Sequence, residues 1–252
     1  MKNGKTFQFE LAGEFRQVQV PLAELDEVHL PFVDELVRRS RERDGRFIPY
    51  LGSPPGGGKS TLASLWKALS NERGESIEML PLDGFHFPNA YLRSHEMVVD
   101  WKNVSMLDMK GAPETYDLGR IISHLQALRN GDDLVWPIYD RRLHDVVTEG
   151  FRIERKTGVF LIEGNYLLLD EPAWSDGSRF ADLKIFLETP EAICRERTIA
   201  RHIRGGRTPE DAALHYERCD HRNFERVNSR RVKPDVVFVT SPSGGVSGPF
   251  WQ

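Results

Sequence analysis

Cysteine is scarce in this chain. Cys194 and Cys219 are the only two, and neither lies in a cluster spaced for a metal ion. A disulfide framework therefore has no basis here, and a reducing cytoplasmic compartment fits, with both thiols structural rather than catalytic. Long apolar runs are missing as well: none approaches the roughly 18 residues that a membrane helix needs. The first residues, Met1-Lys-Asn-Gly-Lys-Thr-Phe7, lack the apolar centre of a secretion signal. An excess of positive charge is also absent, since 34 Lys and Arg face 38 Asp and Glu for a net charge of −4. That removes the general electrostatic reason to expect a nucleic acid or a membrane surface as partner. An anionic ligand must be met by local basic residues.

What is present is an ordinary globular balance, with 39% hydrophobic and 29% charged residues over a length of 252. That length suits one large α/β domain. Residues 6–20 alternate apolar and polar around Gly13, the pattern of a small β-hairpin. Leu25, Val28, Phe32, Leu36 and Val37 then recur at near-helical spacing, and Pro31 places the start of that helix close to itself. Residues 1–45 thus read as an appendage to a domain that fills 46–252. The appendage could form a dimer edge or cover the sheet.

Beyond it, strand and helix patterns alternate, which argues for a doubly wound, mainly parallel sheet with helices on both faces. Strands are expected at Phe47–Leu51, Ile77–Leu82, Leu134–Tyr139, Val159–Ile162, Leu183–Leu187 and, last, Asp235–Thr240. Helices are expected at Ser60–Asn71, near Asp117–Arg129, and in the arginine-rich stretch after Leu187. Residues 87–116 form a longer connection rich in Pro and Gly, in which Glu114 or Thr115 could begin the next helix. Ser241–Gly248 reads as a loop or loose tail.

The stretch Gly52-Ser-Pro-Pro-Gly-Gly-Gly-Lys-Ser-Thr61 lies between an apolar strand and an amphipathic helix. That is the context of a phosphate-binding loop, G-x-x-x-x-G-K-[ST]. In such a loop, successive backbone N–H groups and a helix N-terminus surround the phosphates. Gly56, Gly57, Gly58, Lys59, Ser60 and Thr61 all keep their N–H. Lys59 adds a point charge, and the Ser60 hydroxyl is suited to hold Mg2+. Pro54 and Pro55 fall in the half that shapes the turn. Ser53 departs from the pattern, because the first glycine often takes a conformation that a Cβ resists. A Ser53→Gly variant is expected to bind ATP still. For the metal, Glu163 at the end of an apolar strand supplies a carboxylate, with Asp182 and Glu188 as weaker candidates.

Asp83 stands at the carboxyl end of the strand that follows the loop's helix, the end that faces the ligand crevice in such sheets. A carboxylate there can accept the proton of an attacking hydroxyl during phosphoryl transfer. It could equally be a turn-forming Asp before Gly84. His86 could orient substrate or be structural.

Five ordered segments then carry a resemblance: Pro54-Pro-Gly-Gly-Gly-Lys-Ser-Thr61, Leu82-Asp-Gly-Phe-His86, Lys110-Gly-Ala-Pro-Glu-Thr-Tyr-Asp117, Trp136-Pro-Ile-Tyr-Asp-Arg141 and Ile162-Glu-Gly-Asn-Tyr-Leu-Leu-Leu169. Over residues 47–239 the chain resembles the P-loop kinases of the phosphoribulokinase, uridine kinase and bacterial-type pantothenate kinase superfamily. It is most similar to a bacterial sugar-kinase-like branch. The resemblance implies Asp83 as catalytic base, Lys59 and Ser60 as phosphate and Mg2+ contacts, and Glu163 as the metal-associated acid. It implies Tyr139, Asp140, Arg141 and His144 as contacts to the acceptor, with His86, Lys110 and Asn165 as further candidates. Asn223 matches an asparagine of the branch, with no role assigned.

Residues 190–207 carry Arg195, Arg197, Arg201, Arg204 and Arg207, followed within the stretch by Gly205-Gly206 as a hinge. Arg197 and Arg201 share a helical face. Arginines on a helix beside a phosphate loop can close over the triphosphate and exclude water. In the resembled family this region is the lid, which makes Arg197, Arg201 and Arg204 candidates for contact with ATP. The expected activity is transfer of the γ-phosphoryl of ATP·Mg2+ to a hydroxyl of a small molecule, first a sugar or sugar derivative, then a nucleoside or pantothenate-like alcohol. A non-catalytic ATP-binding regulator and a motion-coupled ATP hydrolase are the rivals.

Overall fold

A computed structural model describes residues 4–11 and 13–252. Met1–Asn3 of the appendage and Ala12 of the hairpin lie outside the described residues. Strands β1 (Gly4–Leu11) and β2 (Glu14–Pro21) pair antiparallel, with Phe7 opposite Val18. The hairpin read from the alternation of residues 6–20 is there.

The following helix, α1, begins at Leu22 rather than near Pro31. Its segments Leu22–Glu24, Leu25–His29 and Leu30–Arg41 run on without a break, and the middle one is a π-turn. A proline inside a helix removes one N–H and crowds the carbonyl four residues back. The wider π-turn directly ahead of Pro31 relieves that crowding, so the helix continues through it.

The central sheet runs β13, β12, β11, β4, β10, and β10 also pairs with β3 and β5. Its strands are β3 (Arg46–Phe47), β4 (Pro49–Gly52), β5 (Ile77–Pro81), β10 (Gly158–Gly164), β11 (Leu183–Glu188), β12 (Val236–Thr240) and β13 (Val246–Trp251). All pairings are parallel except β12 with β13. Successive side chains of a strand point to opposite faces, and both faces are covered. Leu51, Leu161 and Ile185 face α1 and α2 (Lys59–Glu72), while Tyr50, Ile162 and Phe186 face α4 (Leu118–Asn130) and the C-terminal helices.

Three sequence expectations change. The strand at Leu134, β8 (Leu134–Asp140), lies outside the central sheet and pairs antiparallel with β9 (Asp145–Ile153). Ser241–Gly248 is not wholly a loop, because Val246 opens the edge strand β13, which follows β12. The helix after residue 116 begins at Leu118, with Asp117 accepting from the Arg120 N–H as its cap, while Pro113–Thr115 is a separate single turn.

The connection 87–116 also holds a short helix, α3 (Asn89–Ser94), and a hairpin of β6 (Glu96–Val99) and β7 (Lys102–Ser105). After the short α5 (Trp174–Ser178) comes the arginine helix α6 (Glu191–Arg204), then α7, with contiguous segments Pro209–His215, Tyr216–Asp220 and His221–Ser229. No helix among the described residues is long and apolar enough to cross a membrane.

The appendage shares the main core. Phe7, Val20, Leu25 and Phe32 pack with Trp66 of α2 and Phe238 of β12, and Phe32 lies 4.9 Å and 4.8 Å from those two rings. At the hairpin's base Lys5 Nζ pairs with Glu72 Oε2 at 2.5 Å. Phe32→Ala should lower the unfolding free energy by about 3–5 kcal/mol in urea denaturation. A loss under about 1 kcal/mol would mean that α1 adds little to this core.

Candidate active site

The carboxyl ends of β4, β5 and β10 meet at one place, and each delivers one part of the site. β4 ends in the glycine loop. Gly56 and Gly58 take positive φ angles of 76° and 101°, which side chains with a Cβ rarely adopt. Ser53, in contrast, is not among the described residues with positive φ, so its Cβ is tolerated. Its side chain is fully buried and fills the space beside Gly57: a Cβ on Gly57 would stand 1.8 Å from Ser53 Oγ. The Gly57 N–H donates to the Pro54 carbonyl at 3.0 Å, which closes the stiff first half of the loop.

β10 ends in Glu163, which is almost fully buried. Ser60 Oγ donates to Glu163 Oε1 at 3.0 Å, and Lys59 Nζ stands 3.9 Å from Glu163 Oε2. Burial pushes the Glu163 carboxyl up; Lys59 opposes this, while Asp83 adds to it. A hydroxyl beside a carboxylate is an all-oxygen donor set that fits Mg2+. Lys59, 7% exposed, has no hydrogen bond among the described residues, so its charge is left for phosphate oxygens. Asp182 and Glu188 are engaged elsewhere. Asp182 accepts from the Ile48 N–H at 2.7 Å and pairs with Arg43 and Arg129, and Glu188 pairs with Arg231.

β5 ends in the single turn Leu82–Phe85 that carries Asp83. Gly84 is required there by close approach, since a Cβ would meet the Pro137 carbonyl oxygen of β8 at 2.2 Å. Trp136 Nε1 donates to the Pro81 carbonyl at 2.9 Å and fixes the same contact. The Tyr116 hydroxyl donates to Asp83 Oδ1 at 3.1 Å. Burial works to raise the Asp83 carboxyl, but Lys59, Arg141 and Arg201 outweigh it and hold it below the ordinary value. The group is thus ionised at neutral pH.

A cavity of about 1620 Å³ joins these parts, well above the 300–1000 Å³ typical for one small ligand. It is lined by the loop residues Gly56 to Thr61, by Asp83 and Glu163, by Tyr139, Asp140 and Arg141 of the β8 end, and by Arg197, Arg201 and Arg204 of α6. Arg197 Nη1 donates to the Gly57 carbonyl at 3.4 Å, and Thr189 Oγ1 to the same oxygen at 2.9 Å. Helix α6 therefore rests directly on the loop. Asp140 accepts from the Arg142 N–H at 2.7 Å and pairs with its guanidinium, which holds the carboxyl at about 2.

Four expected residues stand behind the cavity wall. His86 is buried against Tyr116, 3.8 Å between rings, with Nδ1 3.1 Å from Thr115 Oγ1; burial pushes it down to about 4, so it is neutral at pH 7. Lys110 Nζ donates to Asn89 Oδ1 at 2.6 Å and to the His144 carbonyl at 2.9 Å, and lies 4.7 Å over the Tyr139 ring. His144 takes a φ of 52° at this turn. Asn165 Oδ1 is buried without a hydrogen-bond partner among the described residues. Asn223 Nδ2 donates to the Gly111 carbonyl at 3.3 Å, which also accepts from the Tyr166 hydroxyl at 2.5 Å. Both side chains fix the turn that carries Lys110.

Sequence reasoning missed Tyr116, Asn89 and Asp220. Tyr116 sat within a quoted motif, but only the bridge between residues 86 and 116 brings it to Asp83. Asp220 is buried, 2.8 Å from His202 Nε2 and 3.8 Å from Arg201 Nη2, so it restrains helix α6. Nothing in the spacing of residues 201 and 220 announces that pairing.

Comparisons with known proteins agree with this geometry. The family model described as "Phosphoribulokinase / Uridine kinase family" matches residues 51–245. Escherichia coli (strain K12) YggC is 37% identical over 221 residues, 86% of this chain and 88% of that protein. A Schizosaccharomyces pombe protein named "Putative uridine kinase" is 32% identical, covering 81% of this chain and 88% of its own. The crystal structure of a "putative fructose transport system kinase" from Silicibacter sp. TM1040 superposes with a TM-score of 0.74 at 28% identity. It covers 83% of this chain and 98% of that one.

Gly57→Ala should abolish MgATP binding in calorimetry while leaving the circular dichroism unchanged, because of the contact with Ser53 Oγ. Adding Ser53→Gly removes that oxygen and should restore part of the affinity, and Ser53→Gly alone should bind as the unaltered protein does. Normal binding by Gly57→Ala would show room in the loop that the geometry denies.

Proposed function

The chain belongs to the phosphoribulokinase/uridine kinase family and is an ATP- and Mg2+-dependent phosphotransferase acting on an alcohol; on that premise we propose that its acceptor is a sugar or sugar derivative and that Asp83 takes the acceptor's proton. The observation that carries this reading is the position of Asp83. It is an ionised carboxylate held by Tyr116, in the same cavity as Lys59 and Glu163, at the carboxyl end of the neighbouring strand.

In the proposed step the acceptor hydroxyl gives its proton to Asp83 as its oxygen bonds to the γ-phosphorus. The bond from that phosphorus to the bridging oxygen breaks, and ADP leaves. Lys59 and the N–H groups of Gly56 to Thr61 hold the phosphates. Ser60 and Glu163 would hold Mg2+, which when bound neutralises charge on the β- and γ-phosphate oxygens. Arg197, Arg201 and Arg204 supply positive charge from the lid side and keep out water that would compete as acceptor.

On the acceptor side, Tyr139 and Arg141 line the cavity beside Asp83. Asp140 shapes their turn through Arg142. Lys110 and His144 brace Tyr139 from behind, His86 braces Tyr116, and the unpartnered Asn165 Oδ1 can accept from a donor. A wall of hydroxyl, guanidinium and carboxylate groups suits a polyhydroxylated ligand. The name of the Silicibacter structure supports a sugar. The name of the Schizosaccharomyces pombe relative makes a nucleoside the second choice.

Measured as acceptor-dependent ADP formation over sugars, polyols, nucleosides and pantothenate, the largest kcat/KM should fall on a sugar. Asp83→Asn should cut kcat about 10²–10⁴-fold with little change in the KM for ATP. Undiminished turnover by that variant would remove Asp83 as the base. Lys110→Met should raise the KM for the acceptor several-fold and leave that for ATP alone; equal rises in both would remove Lys110 as a support of the acceptor wall.

A further inference from the structure

The N-terminal hairpin, residues 4–21, lies outside the span matched by the family model, 51–245. Yet it forms one wall of the catalytic cavity. Six consecutive residues of β2, Arg16 to Pro21, line that cavity. Side chains of an extended strand alternate between faces, so an unbroken run of lining residues means that the strand presents its edge. β1 occupies the other edge and lines the cavity only near its ends, at Gly4, Glu10 and Leu11.

The register says which groups that edge offers. Two residues separate Leu11 from Glu14, so the pair that closes the hairpin is hydrogen-bonded, and the pairs alternate from there. Arg16, Val18 and Val20 spend their N–H and C=O groups on β1. Gln17 and Gln19 turn theirs outward. An outer edge of this kind carries backbone donors and acceptors in alternation.

The order of the sheet says what meets it. Asp83 stands at the end of β5, on one side of the glycine loop that follows β4. Thr240 stands at the end of β12, on the other side. A γ-phosphoryl aimed at Asp83 leaves the nucleoside end of ATP on the β12 side. The cavity wall there is Thr240 and the turn Ser243 to Val246. That turn adjoins the start of α1, where a Cβ on Gly245 would stand 3.0 Å from Glu24 Oε2. β2 ends directly before α1, so its base lies on the turn's side of the cavity, while the hairpin's tip at Gly13 reaches toward Arg142.

We propose that the outer edge of β2, through the backbone groups of Gln17 and Gln19, forms with the turn Ser243–Val246 a subsite for the purine base of the nucleotide. A purine carries adjacent donor and acceptor atoms along its pairing edge, and a strand edge complements them as a neighbouring strand would. The hairpin outside the family span thereby sets which nucleotides are accepted. This rests on the proposed reading of the site, with the loop holding the phosphates and the γ-phosphoryl directed at Asp83; the test reads binding and not turnover, so its failure leaves that reading standing.

The test compares MgATP with magnesium tripolyphosphate, which has the phosphates and no base, by calorimetry on the full chain. Gln19→Pro removes one outward N–H without touching the ladder to β1, and should weaken MgATP about tenfold while leaving tripolyphosphate unchanged. Gln19→Ala keeps the N–H and should weaken MgATP far less than Gln19→Pro does. In the unaltered protein, MgATP and not tripolyphosphate should slow hydrogen exchange at the Gln17 and Gln19 amides. The proposal is overturned if Gln19→Pro binds MgATP normally, if both ligands weaken equally, or if Gln19→Ala loses as much as Gln19→Pro. Should the proline variant not fold, the exchange experiment decides alone: equal protection by the two ligands overturns it.

Discussion

One buried cation beside a buried and a half-buried carboxylate organises the catalytic end of this molecule. Lys59 is the first residue of α2, Asp83 follows β5 and Glu163 ends β10. Ionisable groups wholly or partly withdrawn from water are tolerable only where opposite charges and hydrogen bonds accompany them. Lys59 lowers both carboxylates, Ser60 and Tyr116 each donate to one of them, and Arg141 adds a further positive charge. The outcome is asymmetric. Asp83 is held ionised below its ordinary value, while Glu163 is pushed up and leans on the Ser60 hydroxyl. Two carboxylates of one site thus receive different chemistry from their surroundings. The parallel sheet makes this arrangement available, since its strands end together and its connecting helices start there.

Much of this was legible in the chain. The order of strands and helices around the glycine loop follows from apolar runs of two different periods, and the site carboxylates stand at the ends of two such runs. Chain-local patterns could not reveal what depends on contact between distant segments. β8 has the composition of a sheet strand, yet it leaves the sheet because Trp136 and Pro137 pack on the turn that carries Asp83. β13 looks like a tail because it is short and follows the Ser-, Pro- and Gly-rich stretch 241–245, and pairing with β12 is what makes it a strand. Pro31 reads as a helix start by local rules. The buried contacts of Leu25 and His29 carry the helix past it, with Trp66 Nε1 donating to His29 Nδ1 at 3.3 Å.

The same division holds at the site. The loop, Asp83 and Glu163 are motif positions and can be read one at a time. Ser53 looks like a flaw when read alone. Set beside Gly57 it is one half of a fitted pair, in which the side chain moved from one position is made up for by the lack of one at another. The motifs of His86 and Lys110 leave both a substrate contact and a structural role open. Their hydrogen bonds go first to Thr115, Asn89 and the His144 carbonyl. Residues of this kind are visible in sequence as identities, while the direction in which they point is a property of the fold.

Helix α7 has a consequence for how the two substrates are handled. Asp220 pairs with Arg201 of α6, and three residues later Asn223 holds the turn that carries Lys110. One rod therefore touches both α6 and the turn that carries Lys110. If α6 closes on ATP as proposed, Arg201 must drag or break its tie to a helix that also anchors that turn. Donor closure and acceptor seating would then be mechanically geared to each other. Such gearing suits a transferase, for which a lid that shuts on ATP with only water in the acceptor chamber would waste the phosphoryl group.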